Sequence, residues 1–170
     1  MLEQKPIVRS VSGDITAMPA EAIVHAANSH LWMGSGPGGA IKAKAGADIE
    51  KEAMSLGPIR IGQAIATSAG QLPRPIRRII HVAAYHQEME TDLATIRAAT
   101  LAALQLAEAE GLRSLAMPVI HAGNLSVSTV ALLMEGTIET FLESAGCVQD
   151  VYLVFHSPSD LAEFRLRQPL

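Results

Sequence analysis

Between residues 21 and 46 the chain runs Glu21-Ala22-Ile23-Val24-His25-Ala26-Ala27-Asn28-Ser29, then a loop holding Gly34, Gly36, Gly38 and Gly39, then Ala40-Ile41. The unbroken apolar run suits a strand buried on both faces, as in a parallel sheet covered by helices. The glycines allow a tight turn and close backbone approach just before a helix begins. A buried strand, a lone amide at its end, a glycine loop and a helix, in that order, point to an α/β layer architecture.

The remaining pattern extends this reading. Strands are expected at residues 6–12, 62–68, 77–83, 112–118 and 148–155, besides 21–26. Helices are expected at 38–45, from an Asp48 N-cap to Gly57, at 92–110, and from about Val130 to Gly146. In the fourth of these, Val130, Leu133, Met134, Ile138, Phe141 and Leu142 form one apolar stripe. Ser157-Pro158-Ser159-Asp160 reads as an N-cap, a proline at the first helical position and an acid in the first turn of a last helix. Strands alternate with helices and no linker intervenes, so the expectation is one domain over residues 1–170. Its fold class is a three-layer α/β/α sandwich around a mixed central sheet.

Composition removes several function classes. The 170 residues carry a formal net charge of −4, which argues against a general phosphate-backbone binder. Arg74, Arg77 and Arg78 form the one tight basic cluster and read as a solvated strand entry. Cys147 is the single cysteine, so no intrachain disulfide or thiolate metal cluster can form; it reads as structural, near a helix exit. The six histidines show no ligand-type spacing, so no metal is expected; His25, His81 and His121 read as hydrogen-bonded structural residues. No apolar stretch approaches the ~20 residues of a membrane span, and a soluble, cytoplasmic chain is expected.

The sequence before and after the buried strand suits a nucleoside diphosphate. Asp14, in Gly13-Asp14-Ile15-Thr16, is an acceptor-only side chain able to take the exocyclic amine of adenine, with the Ile15 N–H beside it. Guanine presents an acceptor at the same position and would be repelled. Asn28 offers an amide to a ribose, and Gly34, Ser35, Gly36, Gly38 and Gly39 bring backbone N–H groups to a helix N-terminus, where anions bind. Each residue also has a plainer reading: Asp14 as a turn residue, Asn28 as a strand-end amide, the glycines as a flexible loop.

These segments resemble the macro domain, whose pattern runs GDIT, AIVNAANS, a glycine-rich loop ending GAI, and AG. Leu72-Pro73, Ile79-Ile80-His81-Val82 and Ser114-Leu115-Ala116-Met117-Pro118-Val119-Ile120 resemble its later blocks. The likeness covers about residues 7 to 167, and five ordered blocks are far more specific than one glycine loop. It implies binding of ADP-ribose, or of an ADP-ribosylated small molecule or protein, with no cofactor. It also implies a second phosphate loop formed by Ala122, Gly123, Asn124, Leu125 and Ser126, and a ring against adenine from Phe155 or His156 at the last strand end. Trp32 either walls the distal pocket or packs the loop.

The departures bear on activity. His25 stands at the family's first Asn, and Gly38 at the position where the mono-ADP-ribosyl hydrolase subgroup carries an acid. Leu125 and Ser126 replace an aromatic and a glycine, and Ser126 would resist a positive φ. Two classes therefore stay open. One is hydrolysis of ADP-ribosyl esters or O-acetyl-ADP-ribose, with Asn28 holding the reactive geometry. The other is a non-catalytic ADP-ribose or adenine-nucleotide reader, with an RNA or poly-ADP-ribose binder behind it. On this reading, Gly38→Asp would raise turnover by restoring the acid. Oligomeric state is not legible.

Overall fold

The computed structural model describes residues 5–168. Its strands are β1 (Ile7–Ser12), β2 (Ala22–Asn28), β3 (Ala64–Ser68), β4 (Arg78–Tyr85), β5 (Ser114–Pro118) and β6 (Asp150–Phe155). Its α-helices are α1 (Gly36–Ala45), α2 (Asp48–Leu56), α3 (Leu93–Ala109), α4 (Val127–Leu142) and α5 (Pro158–Arg167). The six-stranded sheet runs β1-β6-β5-β2-β4-β3. β3 is antiparallel to β4 and every other pairing is parallel, so the sheet is mixed.

Alternation along the strands assigns the layers. Ile23, Ile79, Ala116 and Val154 pack with Ile41, Ala45 and Ile49 of α1 and α2. Val24, Ile80, Met117 and Leu153 face the other way, onto Ile96 and Ala103 of α3, Met134 and Ile138 of α4, and Phe164 of α5. Both faces are covered, which explains why β2 and β4 are nearly unbroken apolar runs. Three helices begin on side-chain caps: Asp92 accepts from Thr95 N–H at 2.7 Å, Ser126 from Thr129 N–H at 3.1 Å, and Ser157 from Asp160 N–H at 3.2 Å.

Strand limits shift by one or two residues from the sequence reading, and the helix boundaries differ in ways that bear on the site. Helix α1 begins at Gly36, two residues before the expected start at 38, so Gly36 joins Gly38 and Gly39 in its first turns. Asp48 is the first helical residue of α2, with Ala47 as its cap. Helix α4 starts earlier, at Val127, because Ser126 caps it, and it stops at Leu142, before Gly146. Cys147 therefore lies beyond the helix exit, in a turn that α3 holds from below.

That turn is fixed by one carboxylate. Glu108 accepts from the backbone N–H groups of Gly146 at 2.7 Å, Cys147 at 2.7 Å and Val148 at 2.9 Å. These bonds, the one to Val148 first, hold its pKa below the ordinary value, against a smaller opposing effect of burial. A depressed carboxylate pKa stabilises the fold above the unfolded-state value, and the contribution is lost as pH falls through the folded value. Glu108→Ala is expected to cost about 2–3 kcal/mol, since charge-assisted bonds are lost. The cost should shrink as the pH falls below 4.5; chemical unfolding at pH 7 and pH 3 measures both.

Candidate functional site

The parallel strands β1, β6, β5, β2 and β4 all end at one edge of the sheet. β2 leads to α1 on one face and β5 leads to α4 on the other. Adjacent parallel strands whose connections depart to opposite faces leave a crevice at their carboxyl ends. Asp14 and Ile15 follow β1, Asn28 ends β2, and Gly34 and Ser35 lead directly into α1. Ala122 to Ser126 lie between β5 and α4, and His156 follows β6. The topology brings all of them to this one edge.

Helix α1 is the electrostatic centre of that edge. Its N-cap, Ser35, makes no side-chain capping bond, and its first turn carries no acid. Helix α2, by contrast, has Asp48 and Glu50 in its first turn, and α3, α4 and α5 have capping side chains. Gly39 N–H bonds the Ser35 carbonyl at 3.2 Å, and Pro37 has no N–H to offer. The N–H groups of Gly36 and Gly38, at the positive end of the helix dipole, have no capping side chain or first-turn acid to compensate them, an arrangement suited to an anion. The chain entering α1 is anchored by burial of Leu31 and Met33 and by Glu50, which accepts from Met33 N–H at 2.6 Å and from Lys42 at 3.2 Å.

Several side chains already have work within the fold. Asp14 Oδ1 accepts from Thr16 N–H at 2.9 Å and from its hydroxyl at 2.6 Å, while Oδ2 pairs with Lys44 of α1. The Lys44 bond, then the Thr16 hydroxyl, lower the Asp14 pKa to about 2, so it is ionised throughout the neutral range. Asn28 Oδ1 accepts from His30 N–H at 3.0 Å, which leaves its two amide hydrogens as what it can offer a ligand. Both plainer sequence readings, turn residue and strand-end amide, are thus realised geometrically.

The second loop differs more from expectation. Ser126 has φ −68°, so no positive φ is demanded of it, and its hydroxyl is engaged with Thr129 as the α4 cap. Ala122 is buried and Leu125 packs against the large core, so this loop presents backbone together with the exposed Asn124. Phe155 is fully buried against Phe164, with ring centroids 5.1 Å apart, and offers no face to a ligand. The exposed ring at that strand end is His156. Trp32 is 54% exposed and stacks on His30 at 4.8 Å, so it does not pack the loop interior.

Sequence reasoning missed the connection beneath the glycines. His25 and His81 are opposite each other on β2 and β4, and their Nδ1 atoms lie 3.0 Å apart. A Cβ placed on Gly38 would sit 2.6 Å from His25 Nε2. The imidazole thus occupies the space a side chain at 38 would need. The signal was weak: two histidines on buried strands, with nothing in the spacing to pair them.

The macro domain family profile matches residues 24–131. The chain belongs to the macro domain family. An uncharacterized protein of Aeropyrum pernix is 43% identical over 122 residues, 70% of this chain and 64% of that protein. One from Thermococcus kodakarensis is 39% identical over 166 residues, covering 88% of this chain and 92% of its own length. The chain thus spans just under two thirds of the first relative and nearly all of the second. Among solved structures, an Oceanobacillus iheyensis macrodomain variant with ADPR superposes with TM-score 0.84 and 27% identity, over 96% of this chain and 92% of the other. This macro domain therefore shares the fold as well as the sequence blocks of its family. Among the described residues, no helix is long and apolar enough to cross a membrane, and no cluster of metal-ligating side chains occurs.

Proposed function

We propose that this macro domain binds ADP-ribose in the crevice at the carboxyl ends of β2 and β5. The observation that carries the reading is the uncapped, acid-free N-terminus of α1, directly following Asn28 at the strand end. The Gly36 and Gly38 N–H groups, with backbone donors from residues 122–126, hold the diphosphate. Asn28, its carbonyl fixed by His30, directs its amide hydrogens to the distal ribose. Asp14 and the Ile15 N–H read adenine, and His156 lies against the base. The ADPR complex of the Oceanobacillus relative supports the same ligand class.

Binding without turnover is the preferred form of the proposal. Residues 34–39 contain no carboxylate, and Glu50, the acid that acts electrostatically on His25, is occupied by Met33 and Lys42. A titration with ADP-ribose followed by an O-acetyl-ADP-ribose turnover assay on the same sample tests both halves. Saturable binding with no turnover is expected; turnover would move the protein to the hydrolase class, and no binding at pH 7.5 would remove the ligand assignment.

Base reading has its own test. Asp14→Asn keeps an oxygen for Thr16 but replaces Oδ2, which pairs with Lys44 and is the acceptor proposed for adenine, with an amine. Wild-type protein should prefer ADP-ribose to GDP-ribose, and the variant should lose about 1.5–3 kcal/mol of ADP-ribose affinity, roughly 10- to 150-fold. Equal wild-type affinity for the two nucleotides would remove Asp14 from the adenine site.

A further inference from the structure

The buried histidine pair has a defined tautomeric order. The Thr67 hydroxyl donates to the Ser68 carbonyl at 3.0 Å, so its oxygen must accept from His81 Nε2–H at 2.9 Å. Neutral His81 then has a bare Nδ1, and the His25 Nδ1 lying 3.0 Å away must carry the hydrogen between them. Neutral His25 is left with a bare Nε2, the atom that abuts Gly38 in the first turn of α1. One more proton fits this chain at one place only. Added to His25 Nε2, it leaves every existing hydrogen bond intact; added to His81 Nδ1, it would set two N–H groups against each other.

We propose that His25 is a latent cation of the diphosphate site, taking a proton from solvent at Nε2 when ADP-ribose binds. The inference rests on the ADP-ribose reading and deepens it. The site otherwise lacks a free positive side chain in its loop: residues 34–39 hold no Lys or Arg, Lys42 is paired with Glu50, and Lys44 with Asp14. The groups facing His25 are His81 from β4, Gly38 at the positive end of α1, and Glu50 from α2, with Thr67 of β3 behind His81. Burial lowers the pKa of His25 to about 4, with the Glu50 charge opposing, and burial with the neighbouring His25 lowers that of His81 to about 3. In the free protein both rings are therefore neutral at ordinary pH. A diphosphate at the α1 N-terminus would add negative charge at the turn that abuts Nε2, so the protonated form gains stability in the complex. By linkage, binding must then take up protons and tighten as the pH falls from the neutral range toward the free-protein value.

Calorimetry with ADP-ribose in buffers of different ionisation enthalpy, from pH 7.5 to 5.5, reads the uptake directly. About 0.3–0.8 proton per ligand is expected at pH 5.5, with Kd tightening about 1.4- to 5-fold across the range. His30, His86, His121 and His156 are exposed in the segments that follow the strand ends, so His25→Asn, which keeps all four, separates their contribution. Whatever its affinity at pH 7.5, the variant should lose most of the uptake, and nitrogen NMR of the wild-type complex at pH 5.5 should show His25 Nε2 protonated. A merely structural His25 would give unchanged uptake in the variant and a bare Nε2 in the complex; either result overturns the proposal. If His25→Asn does not fold, the wild-type uptake and the NMR signature still decide it. Absence of binding at pH 7.5 would instead sink the ADP-ribose reading itself.

Discussion

Gly38→Asp is expected to abolish ADP-ribose binding and to lower the melting temperature by roughly 5–10 °C. The sequence alone suggested the opposite, a gain of turnover from a restored acid. The structure reverses that expectation because the Cβ of any residue at 38 would lie 2.6 Å from His25 Nε2 and 3.3 Å from its Cδ2. The imidazole cannot rotate aside without giving up its bond to His81, inside a core where it is 3% exposed. Overpacking of this kind costs about 1–3 kcal/mol, and it displaces the turn whose N–H groups are proposed to hold the diphosphate. Gly38→Ala isolates the steric part, and His25→Asn combined with Gly38→Ala should recover most of the stability and affinity. Calorimetry and thermal melts on the three variants check this; a Gly38→Ala protein indistinguishable from wild type would show that the imidazole does not fill that space.

Gly70→Ala should be more damaging to the fold, by about 3–5 kcal/mol. Gly70 has φ +56°, and a Cβ there would lie 2.2 Å from the backbone carbonyl oxygen of Ala45, the last residue of α1. The same oxygen accepts from Gln71 N–H at 2.9 Å, so the connection between β3 and β4 is drawn tightly onto the end of α1. Backbone meeting backbone has no rotamer escape. The substitution must push α1 away from Ile49 and the sheet, and binding should weaken together with stability. Gly136→Ala serves as the control: no atom outside its own helix lies within 4 Å of the added Cβ, and the change should be neutral or stabilising by about 0.5–1 kcal/mol. Urea unfolding of both variants measures the contrast. A Gly70→Ala protein as stable as wild type would mean that the connection yields more easily than this packing allows.

Local patterns were legible where a residue acts through its own neighbours. In α3 the steps of three and four through Leu93, Ile96, Thr100, Ala103 and Ala107 mark its packing face, and all of these but Leu93, 39% exposed at the helix start, are buried; Ser157-Pro158 announced α5. The helix-start error at α1 has a physical reason: glycine has poor helix propensity, so Gly36 read as loop and the start was placed at residue 38. The stop at Gly146 failed for a different reason. The turn there is held by Glu108, whose place 38 residues earlier gives no local cue.

At the candidate site the division is sharper. The order of blocks, the buried strands, the amide at Asn28 and the glycines before Ile41 are properties of the sequence, and they determined the family and the layer architecture. Which of those residues remain available to a ligand was decided by tertiary contacts. Phe155 went into the core against Phe164, Ser126 became a helix cap, and Asp14 is shared between its own turn and Lys44. The pairing of His25 with His81, and the fit of that pair beneath Gly38, exists only because β2 and β4 are adjacent and α1 crosses over them. Periodicity and capping are short-range and leave their mark on the chain; a hydrogen bond between residues 56 positions apart, or the lack of room for one methyl group at Gly38, depends on packing that no local pattern encodes.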